Sequence, residues 1–174
     1  MKSGKLNENS IILLLLYIDN KKSIVGKTKF QKIIFLYEEE CHKQLEFHKK
    51  LEVKEKNLFD FYPHYFGPFS NKLLDFIKQL KSFGLIEENK LKDNSFNMIE
   101  NKYEEKLEYK ITELGSSFVE TKIINYIDGF KLQRLNDFKS KYSQMMVEDL
   151  IRYVYTEYEE MTKNSLIKEK VLGT

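Results

Sequence analysis

The sequence contains few of the residues that cross-link a fold and no apolar run long enough to cross a membrane. It has one cysteine, Cys41, which excludes an internal disulfide framework and fits a reducing compartment. Its longest apolar run, IILLLLYI at residues 11–18, is far shorter than the roughly 20 residues that a membrane-spanning helix needs. No small-residue cleavage site follows this run, so it is unlike a secretory signal. We therefore expect a soluble, cytoplasmic protein.

Arginine is scarce and the basic residues are unevenly spread. Arg134 and Arg152 are the two arginines among 29 basic residues, so lysine supplies nearly all the positive charge. Residues 1–86 carry 15 lysines against 10 acidic residues, whereas residues 87–174 carry 14 basic residues against 17 acidic ones. A basic first half suits an anionic partner.

Apolar periodicity and capping residues predict a mainly helical chain. Helices are expected at 9–20, 28–44, 71–83, from Thr112 onward, and at 146–162, with short strands near 91–99 and 106–111. Thr28 and Gln31 have the spacing of a capping box for the second helix. Both prolines lie in the stretch PHYFGPFS at 63–70. Ser70 is the expected N-cap of the third helix and Gly84 its left-handed end.

The order of these elements is that of a winged helix-turn-helix domain. The predicted fold is mainly α with a small β-hairpin wing and a C-terminal helical extension. The winged-helix domain is expected at residues 1–125 and the extension at residues 126–174. The helix at 71–83 would be the recognition helix, and the hairpin around 91–111 the wing.

This order places polar side chains where double-stranded DNA would lie. Lysines at the start of the second helix would hold phosphates, the third helix would face the major groove, and the wing tip would touch the adjacent backbone. The candidate DNA-binding residues are Lys27, Thr28, Lys29, Lys32, Asn71, Lys72, Lys78, Gln79 and Lys102. Each of these helix faces also fits an ordinary solvated surface.

Two stretches resemble a known group of proteins. GKTKFQKIIFL from Gly26 and YFGPFSNKL from Tyr65 are similar to the YwgA-like archaeal and bacterial winged-helix proteins. They are more distantly similar to the phage-associated Panacea domains, which are SocA-like antitoxins. YKITELGSSFV from Tyr109 resembles the strand-to-helix junction that closes many winged-helix domains. The resemblance implies a winged-helix fold and either transcription control or neutralisation of a partner protein.

The last predicted helix has an apolar stripe that could form a dimer interface. Its members recur at i, i+3, i+4, i+7, i+11 and i+14, which is one face of a helix. The candidate interface residues are Val147, Leu150, Ile151, Val154, Tyr158 and Met161. Packing against the first helix of the same domain is the alternative.

Other reactive residues do not form a recognisable site. Cys41, His42, His48 and His64 lack the spacing of a zinc site, and Cys41 is expected to be a small core residue. The run Glu38, Glu39 and Glu40 is expected on a solvated face. No common catalytic or nucleotide-binding motif occurs. We therefore expect no enzyme activity, no metal and no cofactor.

The sequence thus favours a DNA-binding protein, a transcriptional regulator acting as a homodimer. The alternative is an antitoxin-like or phage-associated module that binds a protein and not DNA. A sequence pI near 8.4 is below the range typical of DNA-binding domains and favours this alternative.

Overall fold

The computed structural model describes residues 6–42, 44–45, 57–92, 96–97, 102–103 and 105–173. Within these residues the chain is mainly helical, as predicted. Its α-helices are α1 (Glu8–Lys21), α2 (Lys27–Leu36), α3 (Asn71–Ser82), α4 (Glu113–Lys122), α5 (Gly129–Gln144), α6 (Val147–Glu157) and α7 (Lys168–Leu172). A π-helical turn (Tyr37–His42) continues α2, and 3-10 turns cover Ile124–Tyr126 and Glu159–Thr162. None of the described helices is both long and apolar enough to cross a membrane.

The described strands form small antiparallel sheets. They are β1 (Ile24–Val25), β2 (Tyr62–His64), β3 (Gly67–Phe69), β4 (Ile86–Lys90), β5 (Phe96–Asn97), β6 (Lys102–Tyr103) and β7 (Leu107–Ile111). β7 is the centre of a sheet with the order β1–β7–β4, in which Ile86 pairs with Ile111. β2–β3 and β5–β6 are separate two-stranded hairpins. The strand predicted near 91–99 contains β5, whereas β4 lies before the predicted range, because the chain becomes extended directly after the turn at Gly84.

The core is built around α1. All six residues from Ile11 to Leu16 are buried, because α4, α5 and β7 pack around this helix. Its N-cap is Asn7, two residues before the predicted start, with the side chain accepting from the Ser10 amide at 2.8 Å. The chain leaves helical geometry at residues 18–20, and Asp19, Asn20 and Lys21 have positive φ.

Lys139 of α5 holds this unusual end of α1. Its ammonium donates to the carbonyls of Ile18 at 2.9 Å and Lys22 at 2.6 Å. The side chain is fully buried, and burial lowers the pKa of Lys139 to about 8. α5 is thereby fixed to α1 by hydrogen bonds as well as by apolar packing.

The predicted capping box of α2 is wrong. The helix begins at Lys27, after Gly26 at φ 100°, and no side chain caps it. The Gly26 amide donates to the Leu107 carbonyl at 2.8 Å, which fixes the chain two residues before the predicted cap Thr28. Gln31, the other predicted member, is 3% exposed and points elsewhere.

The predicted limits of α3 are confirmed. The Ser70 hydroxyl accepts from the Leu73 amide at 2.9 Å, as an N-cap does. At the other end Gly84 has φ 68°, and the Leu85 amide donates to the Leu80 carbonyl at 3.0 Å. These bonds form a Schellman ending, so both ends of α3 are fixed by residues that the sequence identifies.

Candidate functional site

The outer face of α3 is polar and open. Asn71, Lys78 and Gln79 are exposed, as predicted, while Leu73, Ile77 and Leu80 are buried on the opposite face. The side-chain carboxamide of Asn71 donates to the Tyr62 hydroxyl at 3.0 Å, and the side-chain oxygen of Gln79 accepts from the Asn9 carboxamide at 3.0 Å. The Lys78 ammonium lies 3.5 Å from the carboxylate of Asp75, one turn away.

Lys72 lies at the edge of this face and contacts the rest of the protein. Its ammonium donates to the Leu58 carbonyl at 2.6 Å. It also lies 3.3 Å from the carboxylate of Glu8 and 3.5 Å from that of Asp60. Lys72 therefore joins the start of α3 to α1 and to the segment before β2, a role that the sequence does not predict.

The lysines at the start of α2 do not form the predicted phosphate-binding group. Lys27 is exposed, and Thr28 is half-buried beside it. Lys29 instead donates to the carbonyls of Ser143 and Met145, both at 2.7 Å, at the break between α5 and α6. Burial, together with the nearby Lys22, lowers the pKa of Lys29.

Lys32 is 2% exposed and lies under the β2–β3 hairpin. Its ammonium donates to the carbonyls of Phe66 at 2.8 Å and Pro68 at 2.9 Å. The prediction that Lys29 and Lys32 face an anion is thus contradicted by their positions, because both satisfy backbone carbonyls of this same chain.

The two stretches that resemble the winged-helix group, GKTKFQKIIFL and YFGPFSNKL, contact each other. The Gln31 carboxamide accepts from the Ser70 amide and donates to the Ser70 carbonyl, both at 3.0 Å. The Ser70 hydroxyl also donates to the Phe59 carbonyl. α2 and the start of α3 are therefore joined by a paired, buried contact.

Gly67 makes the hairpin fit this junction. It has φ +82°, and a Cβ there would lie 2.8 Å from the Tyr155 ring and 3.4 Å from the Lys32 ammonium. The Tyr155 hydroxyl shares a hydrogen bond with Ser165 at 2.8 Å, and Ser165 donates to the Tyr65 carbonyl at 3.3 Å. The hairpin is thus enclosed by α2 on one side and by the C-terminal segment on the other.

Glu40 joins three tyrosines of the C-terminal helices. Its carboxylate accepts hydrogen bonds from three hydroxyl groups. The donors are Tyr153 at 2.8 Å, Tyr158 at 3.1 Å, and Tyr142. Burial and this carboxylate raise the pKa of Tyr142 and of Tyr158. The Lys141 ammonium lies 4.6 Å from the centre of the Tyr142 ring.

A cavity of about 340 Å³ opens beside this group. Charged side chains of both signs line it, namely Glu40, Asp137, Arg134 and Lys141. Burial raises the pKa of the Cys41 thiol at its inner wall to about 12. Cys41 is 6% exposed, so the prediction of a core residue is confirmed.

The glutamates of the π-turn are not the solvated face that the sequence suggests. Glu38 is 2% exposed, and the Phe59 amide donates to its Oε2 at 3.4 Å. Burial raises the pKa of Glu38 to about 7 against the backbone amides of Phe59 and Leu58, which lower it, and Glu39 and Asp60 add smaller raising effects. The spacing contained a signal for this position, since Glu38 lies four residues after Ile34 and three before Cys41, both of which are buried.

The apolar stripe of α6 packs inside the molecule. Leu150, Ile151 and Val154 are at most 2% exposed, and the helix lies against α2. Tyr158 packs edge-on against Phe35, with ring centres 5.0 Å apart. Met161 is half-buried against the main core, and Val147 is half-buried against a smaller cluster that contains Ile151. The stripe therefore packs within the chain, as the alternative to a dimer interface supposed, although its main partner is α2 and not the first helix. A dimer formed through these side chains would require that packing to open.

Lys102 and His48 are two further residues that the sequence singles out. Lys102 belongs to β6, near the expected wing tip, but its side chain lies outside the described part of the chain, as does all of His48. His64 stacks on Phe69 with ring centres 4.9 Å apart, and His42 Nδ1 shares a hydrogen bond with the Tyr37 hydroxyl at 3.0 Å.

Compared with family models and with curated proteins, the chain gives no match.

Proposed function

We propose that the chain is a winged-helix protein that contacts double-stranded DNA through the outer face of α3, as a transcriptional regulator without catalytic activity. The observation that carries the proposal is that α3 is fixed at both ends and buried on one side, with its polar side exposed to solvent. The order α1, β1, α2, α3, β4, β7 and the sheet order β1–β7–β4 suit a winged helix, with β4 and β7 as the stem of the wing.

The proposed DNA contacts are fewer than the sequence suggests. Lys27, Asn71, Lys78 and Gln79 are exposed, and Lys102 lies on the proposed wing. Lys29, Lys32 and Lys72 are excluded because their ammonium groups hold other parts of the chain. A contact set with few cations implies modest affinity and a shallow dependence on salt.

Binding to duplex DNA across a series of salt concentrations tests this proposal. The slope of log K against log salt is about −0.9 for each phosphate neutralised, so Lys27→Ala and Lys78→Ala should each flatten it by up to about one unit. Lys170→Ala removes the same charge from an exposed position on α7 and should leave the slope unchanged. Absence of binding at low salt, or an equal effect of Lys170→Ala, would refute the proposal.

A protein partner is the second candidate function. Phe83, Leu114 and Phe118 are 59%, 59% and 40% exposed near the end of α3. Leu114 and Phe118 lie four residues apart on one face of α4, and the Leu114 side chain reaches within 4.0 Å of where a Cβ of Gly84 would lie. Large exposed apolar side chains that lie together are typical of protein interfaces. If a purified partner is found, Leu114→Ser with Phe118→Ser should weaken its binding and leave any DNA binding unchanged.

A further inference from the structure

Glu38 lies inside the protein with an incompletely satisfied carboxyl group. Its Oε2 accepts from the Phe59 amide, whereas Oε1 has no hydrogen-bond partner among the described residues. The side chain is 2% exposed. A buried carboxylate with an unsatisfied oxygen is costly when it is ionised, so its charge favours any arrangement that admits water.

The backbone amides of Phe59 and Leu58 partly offset that charge and lower the pKa of Glu38, but burial outweighs them. Glu39 on the same turn and Asp60 beside Phe59 are acidic and act with burial to raise its pKa. Tyr37 precedes it, and burial raises the pKa of Tyr37 well above the ordinary value, so the phenol stays neutral. Tyr37 in turn shares its hydroxyl with His42. Lys72 of α3 is engaged by Asp60 and by Glu8 of α1.

The segment that contacts Glu38 also supports the start of α3. The Leu58 carbonyl accepts from Lys72, and the Phe59 carbonyl accepts from the Ser70 hydroxyl. That hydroxyl is the N-cap of α3, since it accepts from the Leu73 amide. Residues 58–60, called the 58–60 loop from here on, therefore lie between the carboxyl group of Glu38 and the first turn of α3.

We propose that Glu38 is a protonation-controlled latch, which holds the 58–60 loop closed when it is protonated and lets the loop open when it is ionised. The neutral carboxyl group is stable in the buried position. The carboxylate is better hydrated when the loop separates from the π-turn, and that separation weakens the support of the Ser70 cap and the Lys72 contact. The latch acts on α3 itself and does not depend on what α3 binds.

Linkage sets the size and direction of the effect. The pKa of Glu38 is about 7 in the closed form, and an open, hydrated form should return it toward the ordinary 4.5. Between these two values the opening equilibrium should grow by about tenfold for each pH unit, and it should level off above the higher one.

Amide hydrogen exchange measured by NMR tests the latch. Protection factors of Phe59 and Leu73, corrected for intrinsic exchange, should fall by more than about tenfold from about pH 5.5 to about pH 8. Glu38→Gln should remove most of this fall. Glu39→Gln removes the neighbouring carboxylate instead, and in this variant the fall in protection with pH should persist.

A carbon-13 titration of the wild-type side-chain carboxyl groups tests the same idea without a variant. The Glu38 resonance should titrate with a midpoint near 7. A midpoint near the ordinary value, or wild-type protection factors that do not change with pH, would overturn the proposal. Since neither experiment contains DNA, failure of the latch and failure of the proposed DNA binding are distinguished.

Discussion

Glu38 also makes the stability of the whole protein depend on pH. Its pKa is raised in the folded state, to about 7 from 4.5, so the folded state binds the proton more tightly than the unfolded state does. This contribution favours folding most below the unfolded pKa. It is lost as pH rises through the window between the two values and is constant above it.

We expect Glu38→Gln to be more stable than the wild type at about pH 8, by about 1–3 kcal/mol, because the amide keeps the shape of the side chain without its charge. Below about pH 4.5 the difference should vanish or reverse. Urea unfolding at both pH values measures it, with Glu39→Gln as the control. A wild type that gains stability relative to Glu38→Gln on going from low to high pH would contradict the assignment.

At the scale of elements, the β2–β3 hairpin depends on the missing side chain of Gly67. Gly67→Ala places a Cβ at positive φ and within 2.8 Å of the Tyr155 ring, so we expect a loss of about 2–4 kcal/mol in free energy of unfolding. Gly129→Ala is the matched control, because nothing lies within 4 Å of its Cβ position at the start of α5. This control should be neutral or slightly stabilising. Equal effects of the two substitutions in urea unfolding would contradict the close-packed junction.

The helices and strands differ in how well their limits can be predicted from the sequence. α3 could be delimited because its cap Ser70 and its stop Gly84 act on their own neighbours in the chain. β1 could not be found, since its two residues are extended by pairing with β7, where Ile24 lies opposite Tyr109.

The candidate site was predictable in part for the same reason. Exposure of Asn71 and Lys78 follows from the helical period, which is a local property. The roles of Lys29 and Lys32 depend on carbonyl groups 114 and 34 residues away, which no local pattern encodes. Whether a lysine faces solvent or a carbonyl is thus decided by tertiary structure.

At the scale of the whole molecule, one apolar core includes both predicted parts. Leu135 of α5 and Leu150 and Val154 of α6 belong to the same buried cluster as Ile12 of α1 and Phe30 of α2. The expected boundary near residue 125 therefore falls between segments that pack on each other.

We expect thermal unfolding in a single cooperative transition, because removing α5 and α6 would expose the apolar faces of α1 and α2. Calorimetry should give equal calorimetric and van't Hoff enthalpies. A chain ending after residue 125 should be largely unfolded by circular dichroism. Two separate transitions, or a folded truncated chain, would indicate that the two parts fold independently.

The lysines that hold carbonyl groups give the protein an uneven chemical surface. Lys29, Lys32 and Lys139 each donate to two carbonyls, and the last two are at most 2% exposed, whereas Lys27 is exposed two residues before Lys29. An amine-acylating reagent needs an accessible, unprotonated amine, so neighbouring lysines in one helix would differ widely in reactivity. Acylation of Lys32 or Lys139 would then report that the hairpin or the end of α1 has opened, which makes the lysine-rich composition an intrinsic set of unfolding probes.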